Sequence, residues 1–372
     1  MIDLFKVFMS KDVDDFVSPV LQSGYVGEGD TVKEFELSIG NFIQNNNVLT
    51  VNSGTSAITM ALRLAGVSYG DYVISTPMTC LATNEPILSL GATPIWTDVN
   101  PKTGNMDANC LFRLLNRPNL ARDSIKAILC VHWGGLPCDL KEINQIARDF
   151  GLPVIEDAAH AFGSVYNGQL IGCISDFTCF SFQAIKYLTT VDGGAIAFKN
   201  DSLMKRARLM RWYGLDRTKS RAMRCLQDPP EFGYKFHMNN LNAAIGLANI
   251  RHMDFLLDSS LKHATIYNAA FRELKSIELT DNCDDRLSTY WLYTIKTNDA
   301  NELIDYLAKN GIAASKVHGR NDKKTIFASS ATDLPGVDEF DSKHVCIPVG
   351  WWLTDSDVNK IVDVIKEYKS NG

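Results

Sequence analysis

The sequence predicts an α/β fold: a large domain over residues 1–245 around a mostly parallel central sheet, and a smaller C-terminal α/β domain over 246–372. Three observations carry this prediction. Short β-rich runs alternate with helical stretches through the first two hundred residues. Many of those runs are apolar throughout, as in strands covered on both faces of a parallel sheet. From about Leu241 the pattern changes to a long helical stretch followed by a small strand–helix unit.

Taken in order, NVLTVNSG (Asn47–Gly54) leads into a segment whose Ile58, Leu62 and Ala65 recur at helical spacing. DYVISTP, TPIWTD, AILCV, PVIED, TCFSF and AIAFK, ending at Lys199, then read as strands. Their alternation with helices implies right-handed crossovers. Leu241–Phe271 reads as helix, STYWLYTIKT (Ser288–Thr297) as a strand and NELIDYLAKNG (Asn301–Gly311) as a helix. A last helix opens at Thr354 with Asp357 three residues on, a capping-box pattern, and places Val358, Ile361, Val362 and Ile365 on one face.

Composition narrows the function classes. With 45% hydrophobic and 22% charged residues, the 372-residue chain has ordinary globular make-up. A net charge of −6 without a basic cluster speaks against nucleic acid as a partner, though a few local cations suffice for a phosphorylated small molecule. No apolar run is long enough to span a membrane. The N-terminus turns acidic too early for a secretory signal. Nine cysteines lie scattered without CxxC pairs, several inside apolar runs; they are expected to be buried thiols in a reducing cytoplasm, and no metal site is expected.

Three segments can carry chemistry. In SGTSA (Ser53–Ala57) a glycine stands between a strand and a helix. Backbone N–H groups there, with the Thr55 and Ser56 hydroxyls, suit an anion, although a plain N-capped helix start has the same pattern. In IEDAAHAFG, Asp157 ends a buried strand, where ligands bind in α/β sheets. It also fits an N-cap for a helix beginning at Ala158. Glu156 should point to the opposite face, and His160 is close enough in sequence to reach the same pocket or to be structural. In SFQAIKYLTTVDGG, Lys186 sits among Phe182, Ile185, Tyr187 and Leu188, surroundings that can keep an amine neutral; a surface lysine is the plainer alternative. An aspartate and a lysine so placed are the pair a pyridoxal phosphate (PLP) enzyme needs, one for the ring nitrogen and one to carry the cofactor.

The segments fall in the order phosphate loop, aspartate, lysine, with 157 − 55 = 102 and 186 − 157 = 29 positions between them. Together with SGYVGEGDTVKEFE, VNSGTSA and GYKFHMNNLNAAIGLANI, they resemble the DegT/DnrJ/EryC1/StrS sugar aminotransferases, of the fold type I PLP class, over nearly the whole chain. The resemblance implies that Lys186 is the Schiff-base lysine and general base, and that Asp157 pairs with the pyridine nitrogen. It implies a phosphate site from Gly54, Thr55, Ser56 and Ser181, and a contact from His160, where the family usually has glutamine, to the PLP hydroxyl. Two positions depart from the family. Cys80 stands where an aromatic ring usually covers the pyridine. Lys235 stands where an asparagine usually reaches the phosphate of a neighbouring subunit, so that a shared site would make the protein a homodimer.

The resemblance further implies transfer of an amino group from L-glutamate to a nucleotide-linked keto sugar. GYKFHMNN is more like the enzymes that aminate C4 of a 4-keto-6-deoxyhexose, GDP-perosamine formation for O-antigen-type polysaccharide being the nearest activity. Amination at C3 is the runner-up. A PLP-dependent sugar dehydratase, which has histidine in place of the lysine, and a non-catalytic binding protein are the rivals from other classes. Arg211, Arg217, His318 and Arg320, from RWYGLDR and VHGRND, are the candidates for the diphosphate or hexose, with Trp351 and Trp352 behind them.

Overall fold

The computed structural model describes residues 1–280 and 283–369. Its centre is a seven-stranded sheet formed by β1 (Val48–Val51), β2 (Tyr72–Ser75), β3 (Thr93–Trp96), β4 (Ile125–Val131), β5 (Val154–Asp157), β8 (Phe177–Ser181) and β9 (Gly194–Phe198). Between β5 and β8 lie two short strands, β6 (Val165–Tyr166) and β7 (Gln169–Leu170), which form a separate small sheet with β11 (Arg286–Leu287). The central order is β1-β9-β8-β5-β4-β2-β3. Pairings among β3, β2, β4, β5 and β8 are parallel, whereas β9 runs antiparallel to both β1 and β8. Each of the seven apolar runs read from the sequence coincides with one of these strands.

Successive side chains leave a strand on opposite faces, so a strand apolar at every position serves two cores. Val48, Ile74, Ile128, Val154 and Phe180 pack into one cluster, while their neighbours Leu49, Val73, Leu129, Ile155 and Cys179 pack into the other. Helices Gly54–Leu64 and Met204–Met210 contribute to the second cluster, and helices Asp30–Ile43 and Leu140–Asp149 to the first. This two-sided burial is why the runs show no polar alternation.

The C-terminal elements form a third core. Strands β10 (Glu278–Leu279), β12 (Tyr293–Lys296) and β13 (His344–Ile347) make an antiparallel sheet in the order β10-β12-β13. Helices Ala300–Lys309 and Asp355–Glu367 pack on it together with the end of Met253–Phe271. The capping box at Thr354 is present: the Asp357 N–H donates to Thr354 Oγ1, and the Thr354 N–H donates to Asp357 Oδ2. Val358, Ile361, Val362 and Ile365 are all buried.

The structure departs from the sequence expectations in three places. Leu241–Phe271 is two helices, Asn240–Ile250 and Met253–Phe271, broken at Arg251 and His252. No glycine or proline marks the break; beside it Asn249 and His252 turn to hold Ser10. In STYWLYTIKT only Tyr293–Lys296 is strand, and Trp291, before it, lies outside the sheet and lines a cavity. The cysteines are also not uniformly buried: Cys130, Cys138, Cys179 and Cys346 are, but Cys225 and Cys283 are exposed.

Candidate active site

Because β9 is antiparallel to both its neighbours, β1 points the same way as β8, and the carboxyl ends of β1, β2, β4, β5 and β8 share one edge of the sheet. A cavity of about 450 Å³ opens there. It receives Ser53, Gly54 and Thr55 from beyond β1, Cys80 from beyond β2, Val131 from β4, Asp157 and His160 from β5, and Ser181 and Lys186 from β8. Trp291, Ser315 and His318 of the C-terminal elements close the other side. The edge is the one where open α/β sheets bind ligands.

Asp157 is buried at the floor. Its Oδ2 accepts from Thr83 Oγ1 at 2.6 Å and its Oδ1 from the Ala159 N–H at 3.1 Å. Residues 158–163 form turns instead of a helix, so the N-cap alternative does not apply. Burial raises the Asp157 pKa, against the opposing pull of these two bonds and of Lys186. Glu156 points to the opposite face, where its carboxylate meets His132 Nε2 and the Ser175 N–H.

Lys186 faces the cavity with its Nζ 3.5 Å from the centre of the Trp291 ring. Shielding from bulk water lowers its pKa to about 7, although Asp157 and Cys80 act the other way. A good share of this amine is therefore neutral at physiological pH, as a nucleophile or proton acceptor needs. His160 stacks on the same indole at 3.9 Å and lies nearly parallel to His318 at 5.4 Å. Burial and the nearby Lys186 drive both imidazoles to the neutral form, His318 to about 4. His160 Nδ1 and His318 Nε2 are buried and unpartnered.

At the other end, Ser53 caps helix Gly54–Leu64, its Oγ accepting from the Ser56 N–H at 3.0 Å and donating to Ser56 Oγ. Ser56 is thus occupied by the cap, while Gly54 and Thr55 face the cavity at the first turn, where N–H groups have no intrahelical acceptor. The backbone is drawn in very closely. A Cβ on Gly54 would lie 2.8 Å from Ser181 Cβ, and one on Gly194 would lie 2.6 Å from the Ser53 carbonyl. Gly54→Ala should therefore push Ser181 out of line and raise the dissociation constant for PLP about tenfold or more, measurable by fluorescence titration of the cofactor-free protein.

These residues fit PLP. A buried carboxyl lacking a cationic hydrogen-bond partner, a partly neutral lysine and a glycine-lined helix start with Ser181 beside it match the ring nitrogen, aldehyde and phosphate of that molecule.

The other sequence candidates lie elsewhere. Arg211 is buried and bonded to Glu36 Oε1 (2.8 Å), the Thr50 carbonyl (2.7 Å) and Glu28. Arg217 donates to Glu28 and lies over Trp212. Both line a second cavity, away from Lys186. Arg320 is held by Asp322 and Asp338. Polar donors beside glycine suggested ligand contacts, but nothing in RWYGLDR or VHGRND discloses the distant acidic partners Glu28, Glu36 and Asp338. Lys235 is exposed and points across Trp212, outside the cavity of its own chain. Trp351 and Trp352 pack against the N-terminal segment, Trp352 Nε1 donating to the Asp3 carbonyl. Conversely, Trp291 and Thr83 belong to the site but are not among the sequence candidates, while Ser53 enters it as the N-cap that the SGTSA pattern allows. Trp291 was hidden inside an apparent strand, and only the threonine of TCLATNEP, three residues past Cys80, offered a signal.

The profile of the DegT/DnrJ/EryC1/StrS aminotransferase family matches residues 9–366. The chain belongs to that family. GDP-perosamine synthase of Escherichia coli O157:H7 is 30% identical over 364 residues, 96% of this chain and 95% of that protein. The crystal structure of the sugar aminotransferase CalS13 from Micromonospora echinospora superposes with a TM-score of 0.93 at 38% identity, covering 98% of this chain and 99% of CalS13. The sugar aminotransferase Spr1654 of Streptococcus pneumoniae, solved in its PMP form, gives a TM-score of 0.89 at 26% identity over 98% of both chains. The fold is that of the type I PLP aminotransferases, and the cofactor of this sugar aminotransferase is PLP. No helix among the described residues is long and apolar enough to cross a membrane.

Proposed function

We propose that the protein moves an amino group from L-glutamate to C4 of a nucleotide-linked 4-keto-6-deoxyhexose, as in GDP-perosamine formation, with Lys186 as the proton carrier. The observation that carries the chemistry is a lysine of depressed pKa sharing a cavity with a buried aspartate. Support for the C4 sugar comes from the relatives named GDP-perosamine synthase.

When bound, PLP supplies an electron sink that acidifies the carbon bearing the amine. Asp157, kept in place by Thr83 and the Ala159 amide, holds the proton of the ring nitrogen. Gly54 and Thr55 amides, with the Thr55 and Ser181 hydroxyls, bind the phosphate, and Ser56, tied into the cap, is left out of the sequence-expected set. His160 donates to the ring hydroxyl, and Cys80 covers the ring by van der Waals contact. Lys186 Nζ takes the proton from the α-carbon of glutamate; the amino group would stay with the cofactor, water would supply the keto oxygen, and 2-oxoglutarate leaves. In the second half-reaction it returns a proton to C4 of the sugar. His318, neutral and with Nε2 unpartnered, is placed to meet a sugar hydroxyl. Lys235 reaches the phosphate in a partner subunit, which makes the working unit a homodimer with shared sites.

A panel of GDP-, dTDP- and UDP-linked keto sugars, offered with L-glutamate and read by mass spectrometry and NMR, tests this. The expected product carries its new amine on C4. An amine on C3 would reject the proposed position, and no amination of any sugar would return the chain to the binding-protein reading.

A further inference from the structure

Residues 2–10 form a strap fastened at both ends. At one end the Ile2 N–H donates to the Gly311 carbonyl (2.8 Å), the Ala313 N–H donates to the Ile2 carbonyl (2.9 Å), and Trp352 holds Asp3. At the other, the Ser10 N–H donates to Asn249 Oδ1 and Ser10 Oγ meets His252 Nε2, both at 2.9 Å. Asn249 in turn donates to the Thr189 carbonyl, three residues beyond Lys186. Between these anchors Phe8 packs edge-on to Trp351, and Phe5 stacks on Trp291 with centroids 5.0 Å apart and planes at 25°. Phe5 lines the Lys186 cavity and also a small aromatic pocket next to it.

Trp291 is thus engaged by Phe5, by the His160 ring and by Lys186 Nζ, while its own Nε1 donates to the Ile185 carbonyl at 3.0 Å. That last bond ties the indole to the residue next to the lysine. The arrangement is a chain of contacts from strap to ring to amine.

We propose that Phe5 and Trp291 are positioning residues for Lys186: the strap presses Phe5 onto Trp291, and Trp291 orients the amine and keeps water from reaching it on that side. The proposal rests on Lys186 being the working amine, but not on which sugar is the substrate.

The groups that can influence this amine are Asp157 at the end of β5, Cys80, His160, Asp192, His318, the adjacent Tyr187 and Lys6 on the strap. All of them remain when Phe5 or Trp291 is replaced. Loss of the indole removes a cation–ring contact that, in a desolvated site, favours the charged amine by about one and a half units. It also admits water, and burial, the larger influence here, can be worth several units. Water entry therefore wins, and the lysine should move upward.

The test is trace acetylation of full-length, cofactor-free protein across pH, with labelling of Lys186 read by mass spectrometry. Wild type should show a midpoint near 7. Phe5→Ala and Trp291→Ala should each raise it by about one unit or more, cutting the neutral fraction at pH 7 several-fold, and Phe5→Tyr should restore it. An unchanged midpoint in Phe5→Ala would overturn the role of the strap, and an unchanged midpoint in Trp291→Ala would overturn the proposal altogether. A shift in Phe5→Ala that tyrosine does not restore would also count against ring stacking. Because no sugar enters the assay, failure of the C4 assignment would leave its outcome unaffected.

Discussion

Lys186→Ala should reduce transamination by at least about 10³-fold, because in the proposed mechanism one side chain supplies both the attachment point for PLP and the moving proton. The neutral amine is what the cavity prepares: burial lowers its pKa to about 7 against the pull of Asp157 and Cys80. Borohydride reduction of the wild-type holoprotein followed by peptide mass analysis should place the cofactor mass on Lys186. The variant should carry none, and a cofactor mass found on another lysine would overturn the assignment. Since Nζ packs on an indole instead of forming ion pairs, the variant should fold normally, with an unchanged far-ultraviolet dichroism spectrum.

Asp157→Asn should have the next largest effect and should act in opposite directions on activity and stability. With asparagine at the floor, no carboxylate holds the ring nitrogen proton, so turnover should fall by about 10²–10³-fold and PLP should bind more weakly. The cofactor-free protein should respond differently. Burial raises the pKa of Asp157 above its unfolded value. Between the two pKa values the native state binds more protons than the unfolded state, so stability declines as pH rises through that window and stays lower above it. A neutral amide avoids this penalty and can still accept from the Ala159 N–H. At pH 8 the cofactor-free Asp157→Asn protein should therefore melt roughly 1–2 °C above wild type in calorimetry, and this difference should shrink as pH is lowered. A lower melting temperature at pH 8 would show that Thr83 and the amide already compensate the charge. The site would then be less strained without its cofactor than burial implies.

The strands of the central sheet were readable because burial on both faces leaves short β-rich apolar runs bounded by turn residues, as in Ile125–Val131 and Gly194–Phe198. The antiparallel sense of β9 was not readable, since Gly194–Phe198 has the same apolar pattern whichever way it runs. Among site residues, those supplied by short strand–loop segments were evident in the sequence: Gly54, Asp157 and Lys186 arrive at one cavity from three such segments. What eluded the sequence depends on distant partners. Arg211 and Arg320 look like anion ligands until Glu28, Glu36, Asp322 and Asp338 are brought to them by the fold. Trp291 looks like a strand residue until the backbone turns out of the sheet just before Tyr293.

The N-terminal strap bears on how the protein is made. Ile2 pairs with residues 311 and 313, and the cavity around Lys186 takes one wall from Phe5 and another from Trp291 and His318. A ribosome therefore delivers the strap first and its docking surface more than three hundred residues later. Lys186 emerges between the two, before the residues that close its cavity on the far side. Closure of the cavity thus waits for Trp291, His318 and the residues that fasten the strap, and a chain halted near residue 245 would carry Asp157 and Lys186 without that wall.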